Sequence, residues 1–119
     1  MVAVAPMTLT PPMNVTVTEG RDAIFTCRVT GRPRPRILWF HQQPPIILPP
    51  LVMPTPLSET TGDYVIDENI DGEREIESNL TISSTLPSDT GFYVCFAQNE
   101  VAGGIVMESA FLSVQGQSE

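Results

Sequence analysis

The chain has 119 residues, 41% of them hydrophobic, which suits one domain with a single packed core and leaves no room for a second domain of ordinary size. Fourteen acidic residues against six basic ones, all six arginine, give a formal net charge of -8. That balance argues against nucleic acid or an anionic membrane surface as the main partner. No stretch approaches the roughly 20 apolar residues that span a bilayer. "MVAVAPM" lacks the positive start and long apolar block of a secretory signal, so the chain is expected to be an excised soluble piece.

Along the chain, short alternating runs are separated by turn chemistry, the pattern of many strands. "NVTVTEG" alternates Val15 and Val17 and stops at Gly20. "DAIFTCRV" alternates Ala23, Phe25, Cys27 and Val29 against polar neighbours, and "RILWF" places Ile37 and Trp39 on one face. Then come Tyr64, Ile66 and Ile70 before Asp71-Gly72, and Ile76, Leu80 and Ile82 after it. Asp-Gly between two alternating runs predicts a hairpin, since both central residues of such a turn favour positive φ. "LPSD" has room for one helical turn, and "ESAFLSV" closes the series with Ala110, Leu112 and Val114 inward. Apolar residues nowhere recur at helical spacing over three turns, so the predicted class is an all-β sandwich.

The segment "DTGFYVCFAQ" is apolar on both faces: Tyr93, Cys95 and Ala97 share one side, and Phe92, Val94 and Phe96 the other. Cysteine occurs only at Cys27 and Cys95, 68 positions apart, too far for a CxxC metal or redox motif. A buried disulfide fits an oxidising compartment, and a reduced pair a reducing one.

Cys27, Trp39 twelve positions on, and Asp89-x-Gly91-x-Tyr93-x-Cys95 together resemble the immunoglobulin fold. The resemblance covers residues 8–115, leaving residues 1–7 and 116–119 as expected tails. It implies two antiparallel sheets in Greek-key order, an inter-sheet disulfide between Cys27 and Cys95, and Trp39 packed over it. The Tyr93 hydroxyl would bond backbone at the corner between strands E and F. Trp39, Leu80, Asp89 and Tyr93 are the implied core signature. "VTEGRDAIFTCRVTGRPRPRILWF" and "AQNEVAGG" are similar to the intermediate set, found in tandem arrays of adhesion molecules, axon-guidance receptors, leucine-rich-repeat receptors and muscle filament proteins. "WFHQQPPIILPPLVM" resembles instead a variable domain's strand C running into C′, which leaves extra strands there an open question.

With Trp39 and Cys95 inward, Leu38, Phe40, Val94 and Phe96 face out, and Ile105 and Met107 on the last strand join them. The resemblance makes these strands, C, F and G, sheet neighbours. Such an apolar patch is expected to exceed what isolated soluble domains usually expose and to mark a protein contact. The proline-rich insert, residues 44–56, carries Ile46, Ile47 and Leu48; it either folds over this face or extends it as a contact ridge. On the other sheet Thr26, Arg28, Glu75, Glu77, Asn79 and Thr81 point outward, a polar and acidic surface.

Two N-x-[ST] triplets, at Asn14 and Asn79, are expected glycan acceptors on faces away from the apolar patch, which favours an extracellular location and a membrane-anchored parent. Arg32, Arg34 and Arg36 lie in "RVTGRPRPR"; such a run is ordinarily a solvated loop, or else a site for an acidic protein or sulfated glycan. "DENIDGEREIES" matches the first half of a calcium loop at Asp67, Asn69 and Asp71, but position twelve is Ser78 where a bidentate glutamate is required. The hairpin reading is preferred, with weak calcium binding by Asp67, Asp71 and Glu73 left open. His41 is the only histidine and stands near no nucleophile motif, so no enzyme, cofactor, metal or small-molecule substrate is expected. Two function classes remain: an extracellular recognition or adhesion domain that binds a partner or a second copy through the C-F-G face, and a structural spacer in a tandem array.

Overall fold

The computed structural model describes residues 3–42, 56–57, 64–99 and 104–116. Eight strands are found among them: β1 (Val4–Thr10), β2 (Val15–Thr18), β3 (Ala23–Arg32), β4 (Arg36–Gln42), β5 (Tyr64–Asp71), β6 (Glu75–Ile82), β7 (Gly91–Asn99) and β8 (Gly104–Gln115). One sheet has the order β1-β3-β6-β5 and the other β2-β8-β7-β4. This is the expected two-sheet sandwich, with one 3-10 turn at Pro87–Asp89.

Period-two alternation does most of the building. In β3, β6 and β7 every second residue is buried, which is what a strand with one face on a core requires. The core gathers Phe25, Cys27, Val29, Trp39, Leu80, Ile82, Tyr93, Cys95 and Leu112 from both sheets. At its centre Phe25 stacks on Tyr93, with ring centroids 5.2 Å apart. The Trp39 indole N–H, which would be costly to bury unpaired, donates to Ser78 Oγ at 2.9 Å. Cys27 of β3 and Cys95 of β7 are joined in a disulfide between the sheets. Losing such a bond from a small domain costs roughly 2–5 kcal/mol.

Four details differ from the sequence reading. β1 begins at Val4, inside the segment expected to be a tail, and pairs antiparallel with β3. The second sheet is mixed rather than antiparallel, because β2 runs parallel to β8. The chain changes sheets at Pro11-Pro12, between strands; two residues without N–H donors suit a break in the ladder. The β5–β6 hairpin exists, but Asp71 pairs with Glu75, so its connection is the three residues Gly72-Glu73-Arg74. Of the Asp71-Gly72 pair only Gly72 takes positive φ, at 71°. Ile70, which alternates with Tyr64 and Ile66 in the sequence, is 57% exposed even though it pairs with buried Ile76, since β5 is an edge strand.

The insert at residues 44–56 lies outside the described residues except for Pro56, which is exposed. Ile46, Ile47 and Leu48, expected to cover or extend the apolar face, therefore lie outside the described residues. At Leu57 the chain is back beside β4, its N–H donating to Trp39 O at 2.8 Å, and its side chain packs on the core.

Candidate functional site

The inward anchors decide what faces out. Trp39 lies opposite Cys95, so Leu38 lies opposite Phe96 and Phe40 opposite Val94. The β7–β8 register continues each row: Phe96 to Met107, Val94 to Ser109, Gln98 to Ile105 and Phe92 to Phe111. The outer face of β4, β7 and β8 is thus four parallel rows. In order they are Arg36-Gln98-Ile105, Leu38-Phe96-Met107, Phe40-Val94-Ser109 and Gln42-Phe92-Phe111. None of these twelve positions is acidic.

The rows are not equally open. Leu38 is 38% exposed, Ile105 59% and Met107 63%, while Val94 and Phe96 are half-buried. Phe40, expected to be exposed on this face, is a correction: it keeps only 7% of its surface, with Phe96 edge-on to its ring at 6.0 Å. Phe92 and Phe111 pack edge-to-face at 5.0 Å. Parity in the sequence places Phe92 on this side, and the alternation that turns Ala110 and Leu112 inward turns Phe111 outward opposite it.

The corner beneath this face holds Tyr93 and His41. The Tyr93 hydroxyl donates to the Asp89 carbonyl at 2.6 Å, the backbone bond that the motif implies, and burial raises its pKa. The His41 ring stacks on Tyr93 with centroids 4.3 Å apart and planes 3° from parallel. Its Nε2 is buried without a hydrogen-bond partner among the described residues. Burial lowers the His41 pKa, against the opposing effects of a Thr90 backbone bond and the Asp89 charge. The Asp89 carboxylate accepts from Leu86 N–H at 2.8 Å and closes the 3-10 turn. The histidine is a packed residue of the corner, and nothing here resembles a nucleophile and its base.

The opposite outer face is polar, as its sequence suggests. Thr26 Oγ1 donates to Asn79 Oδ1 at 2.6 Å, and Arg28 pairs with Glu75 and, at 3.5 Å, with Asp71. The structure brings Arg32 and Arg34 to the same turn and leaves Arg36 apart. Arg34 Nη1 reaches Gly72 O at 2.8 Å, Arg32 lines a hollow with Gly72, Asp71, Glu73 and Glu75, and Arg36 stands on the outer face of β4. Asp67, Asn69 and Asp71 are strand residues spaced two apart along β5, not a loop folded around an ion. Among the described residues no group of three or more histidine, cysteine or acidic side chains could hold a metal.

Of the two sequons, Asn79 is half-buried on the polar face, bonded to Thr26 and, at 3.3 Å, to Glu77. Asn14 is exposed just before β2, and its Oδ1 accepts from Phe111 N–H at 2.9 Å. It therefore stands at the edge of the apolar sheet rather than on a distant strand face.

The family model described as "Immunoglobulin domain" matches residues 6–99. The chain belongs to this family. Protein sidekick of Drosophila melanogaster is 34% identical over 110 residues, covering 92% of this immunoglobulin domain and 4% of that protein. Protein sax-3 of Caenorhabditis elegans is 36% identical over 104 residues, covering 87% of the domain and 6% of that protein. The domain thus spans only a small fraction of these relatives. Among solved structures, the titin M10–obscurin-like 1 Ig complex contains a chain that is 28% identical. That match covers 98% of this chain and 99% of the other, with a TM-score of 0.69. Immunoglobulin domains generally mediate protein–protein contacts and are generally not catalytic.

Proposed function

We propose that this immunoglobulin domain is an extracellular protein-recognition module of a larger, membrane-anchored protein, and that it docks a protein partner through the outer face of β4, β7 and β8. One observation carries the reading: Leu38, Ile105 and Met107, on strands β4 and β8 of one sheet face, are exposed on a surface with no acidic position in a chain of net charge -8. Contiguous exposed apolar surface tends to mark a contact, and the core of such contacts is depleted in charge. The buried disulfide and the two sequons support an oxidising, secretory environment. A second reading, a spacer in a tandem array, is favoured by the small fraction of its relatives that the domain spans.

Multivalent fluorescent display of the domain on cultured cells separates the two. Recognition predicts binding lost in Met107→Asp and Ile105→Asp, with unfolding midpoints close to wild type because both side chains are already exposed. Binding unchanged by either substitution removes this face as the docking surface, and no binding to any cell type favours the spacer.

A further inference from the structure

Resting on the secretory part of that reading, we infer that the first sugar of a glycan on Asn14 packs against the Phe92–Phe111 ring pair and closes that end of the docking face. Strand register is the starting point. In the parallel β2–β8 pair Val15 lies opposite Leu112 and Thr16 opposite Ser113. Val15 packs on the core, so alternation turns its sequon neighbours Asn14 and Thr16 outward, and both are exposed. One residue back along the same register, Asn14 extends the row Gln42-Phe92-Phe111 as its fourth member. Adjacent strands stand ~4.8 Å apart, which makes Asn14 and Phe111 side-by-side neighbours on one surface.

The Asn14 amide is also held in place. Its Oδ1 accepts from Phe111 N–H at 2.9 Å, while Nδ2, the atom that carries a glycan, has no hydrogen-bond partner among the described residues. Asn79 differs: its Oδ1 accepts from Thr26 and its Nδ2 donates to Glu77 at 3.3 Å, on a face of acids rather than rings. Glycan transfer from a lipid-pyrophosphate donor joins the anomeric carbon to Nδ2. The carbon–oxygen bond to pyrophosphate breaks with its electron pair on the leaving group, and the amide gives up one of its two protons. A side-chain amide is planar like a peptide bond, so a carbonyl pinned to β8 fixes the direction in which Nδ2 carries the sugar.

Phe92 and Phe111 are half-buried, with their planes 72° apart, so part of both rings is open beside Asn14. One side of a pyranose ring presents mainly C–H groups, which suit the negative face of an aromatic ring. Their contact removes apolar surface of both from water. Ile105 lies six residues from Phe111 along β8, ~20 Å away, and stays open. A partner docking at Ile105 and Met107 then meets a face narrowed by the chain's own glycan.

Protein secreted behind an added leader tests this, as Asn79→Gln so that Asn14 is the one sequon left, and trimmed by an endoglycosidase to a single sugar. The reference is the same polypeptide refolded from bacteria with its disulfide. Nuclear Overhauser contacts should join the sugar's C–H protons to the Phe111 ring, and those protons should resonate upfield of the same sugar on a glycopeptide of residues 11–17. In urea titration the sugar should raise the folded-to-unfolded ratio by about fivefold. Phe111→Leu should abolish the upfield shift and most of the gain, with Asn14 still occupied by mass spectrometry; Phe92→Leu carries the comparison if Phe111→Leu does not fold. Secreted protein unmodified at Asn14, sugar protons at their glycopeptide positions, or a gain that survives both ring substitutions overturns the contact. A sugar seated on the rings with no cell binding overturns recognition and keeps the contact; cell binding through Met107 and Ile105 with the sugar free does the reverse.

Discussion

Gly91 is conspicuous in the motif, but its physical reason appears only in three dimensions. A Cβ there would come within 2.7 Å of Gln42 O and 2.8 Å of His41 Nε2, and the residue has φ of +150°. Gly91→Ala should therefore destabilise the domain by roughly 1–3 kcal/mol, read as a lower urea midpoint at unchanged slope. His41, pressed between Tyr93 and Gly91, makes a second residue-level prediction. Its pKa is lowered by burial from 6.5, so the unfolded chain binds a proton more readily than the folded one. The neutral ring's contribution is complete above 6.5 and is lost as pH falls from 6.5 through the folded value. Urea midpoints of wild type and His41→Gln should accordingly draw together on acidification, and a gap constant with pH would refute the assignment. The sequence shows one histidine two residues beyond Trp39 and hence on the same side. It does not show that the imidazole fills the corner, because the stacking partner comes from β7, more than fifty residues later.

At the scale of elements, β3, β4, β6, β7 and β8 were legible because each buries alternate residues under the opposite sheet. β1 was not. "VAPMTLT" contains a proline, lies at an edge with Val4, Met7 and Leu9 exposed, and owes its pairing to β3 rather than to any alternation of its own. The parallel β2–β8 pair was likewise hidden, since the partners lie almost a hundred residues apart. That pairing sets Asn14 against β8, where it bonds Phe111 N–H. A glycan at Asn14 would stand beside the Phe92–Phe111 end of the apolar face. Glycosylated protein should bind cells less than the same protein treated with an amidase that removes the glycan, while a glycan at Asn79, on the opposite sheet, should have no effect. Cell binding of the single-sequon variants Asn14→Gln and Asn79→Gln compares the two sites directly.

For the whole molecule, charge and apolar surface are segregated: acids crowd the β3-β6-β5 face and are absent from the outward positions of β4, β7 and β8. Docking of an acidic partner through the apolar face would work against a chain of charge -8. Raising salt from about 50 mM to about 500 mM shortens the screening length severalfold and should leave cell binding through this face as strong or stronger. Weaker binding in salt would point instead to an oppositely charged partner surface. The sequence by itself determined the class of fold, the disulfide partners and the parity that sends Phe96 outward when Cys95 turns in, because alternation is a local property of extended backbone. Only the tertiary structure decided which outward residues are exposed and which are covered, that Arg36 belongs to the apolar face rather than with Arg34, and that Asn14 borders it. Those outcomes depend on strand register and on neighbours brought together from distant parts of the chain, which no local pattern encodes.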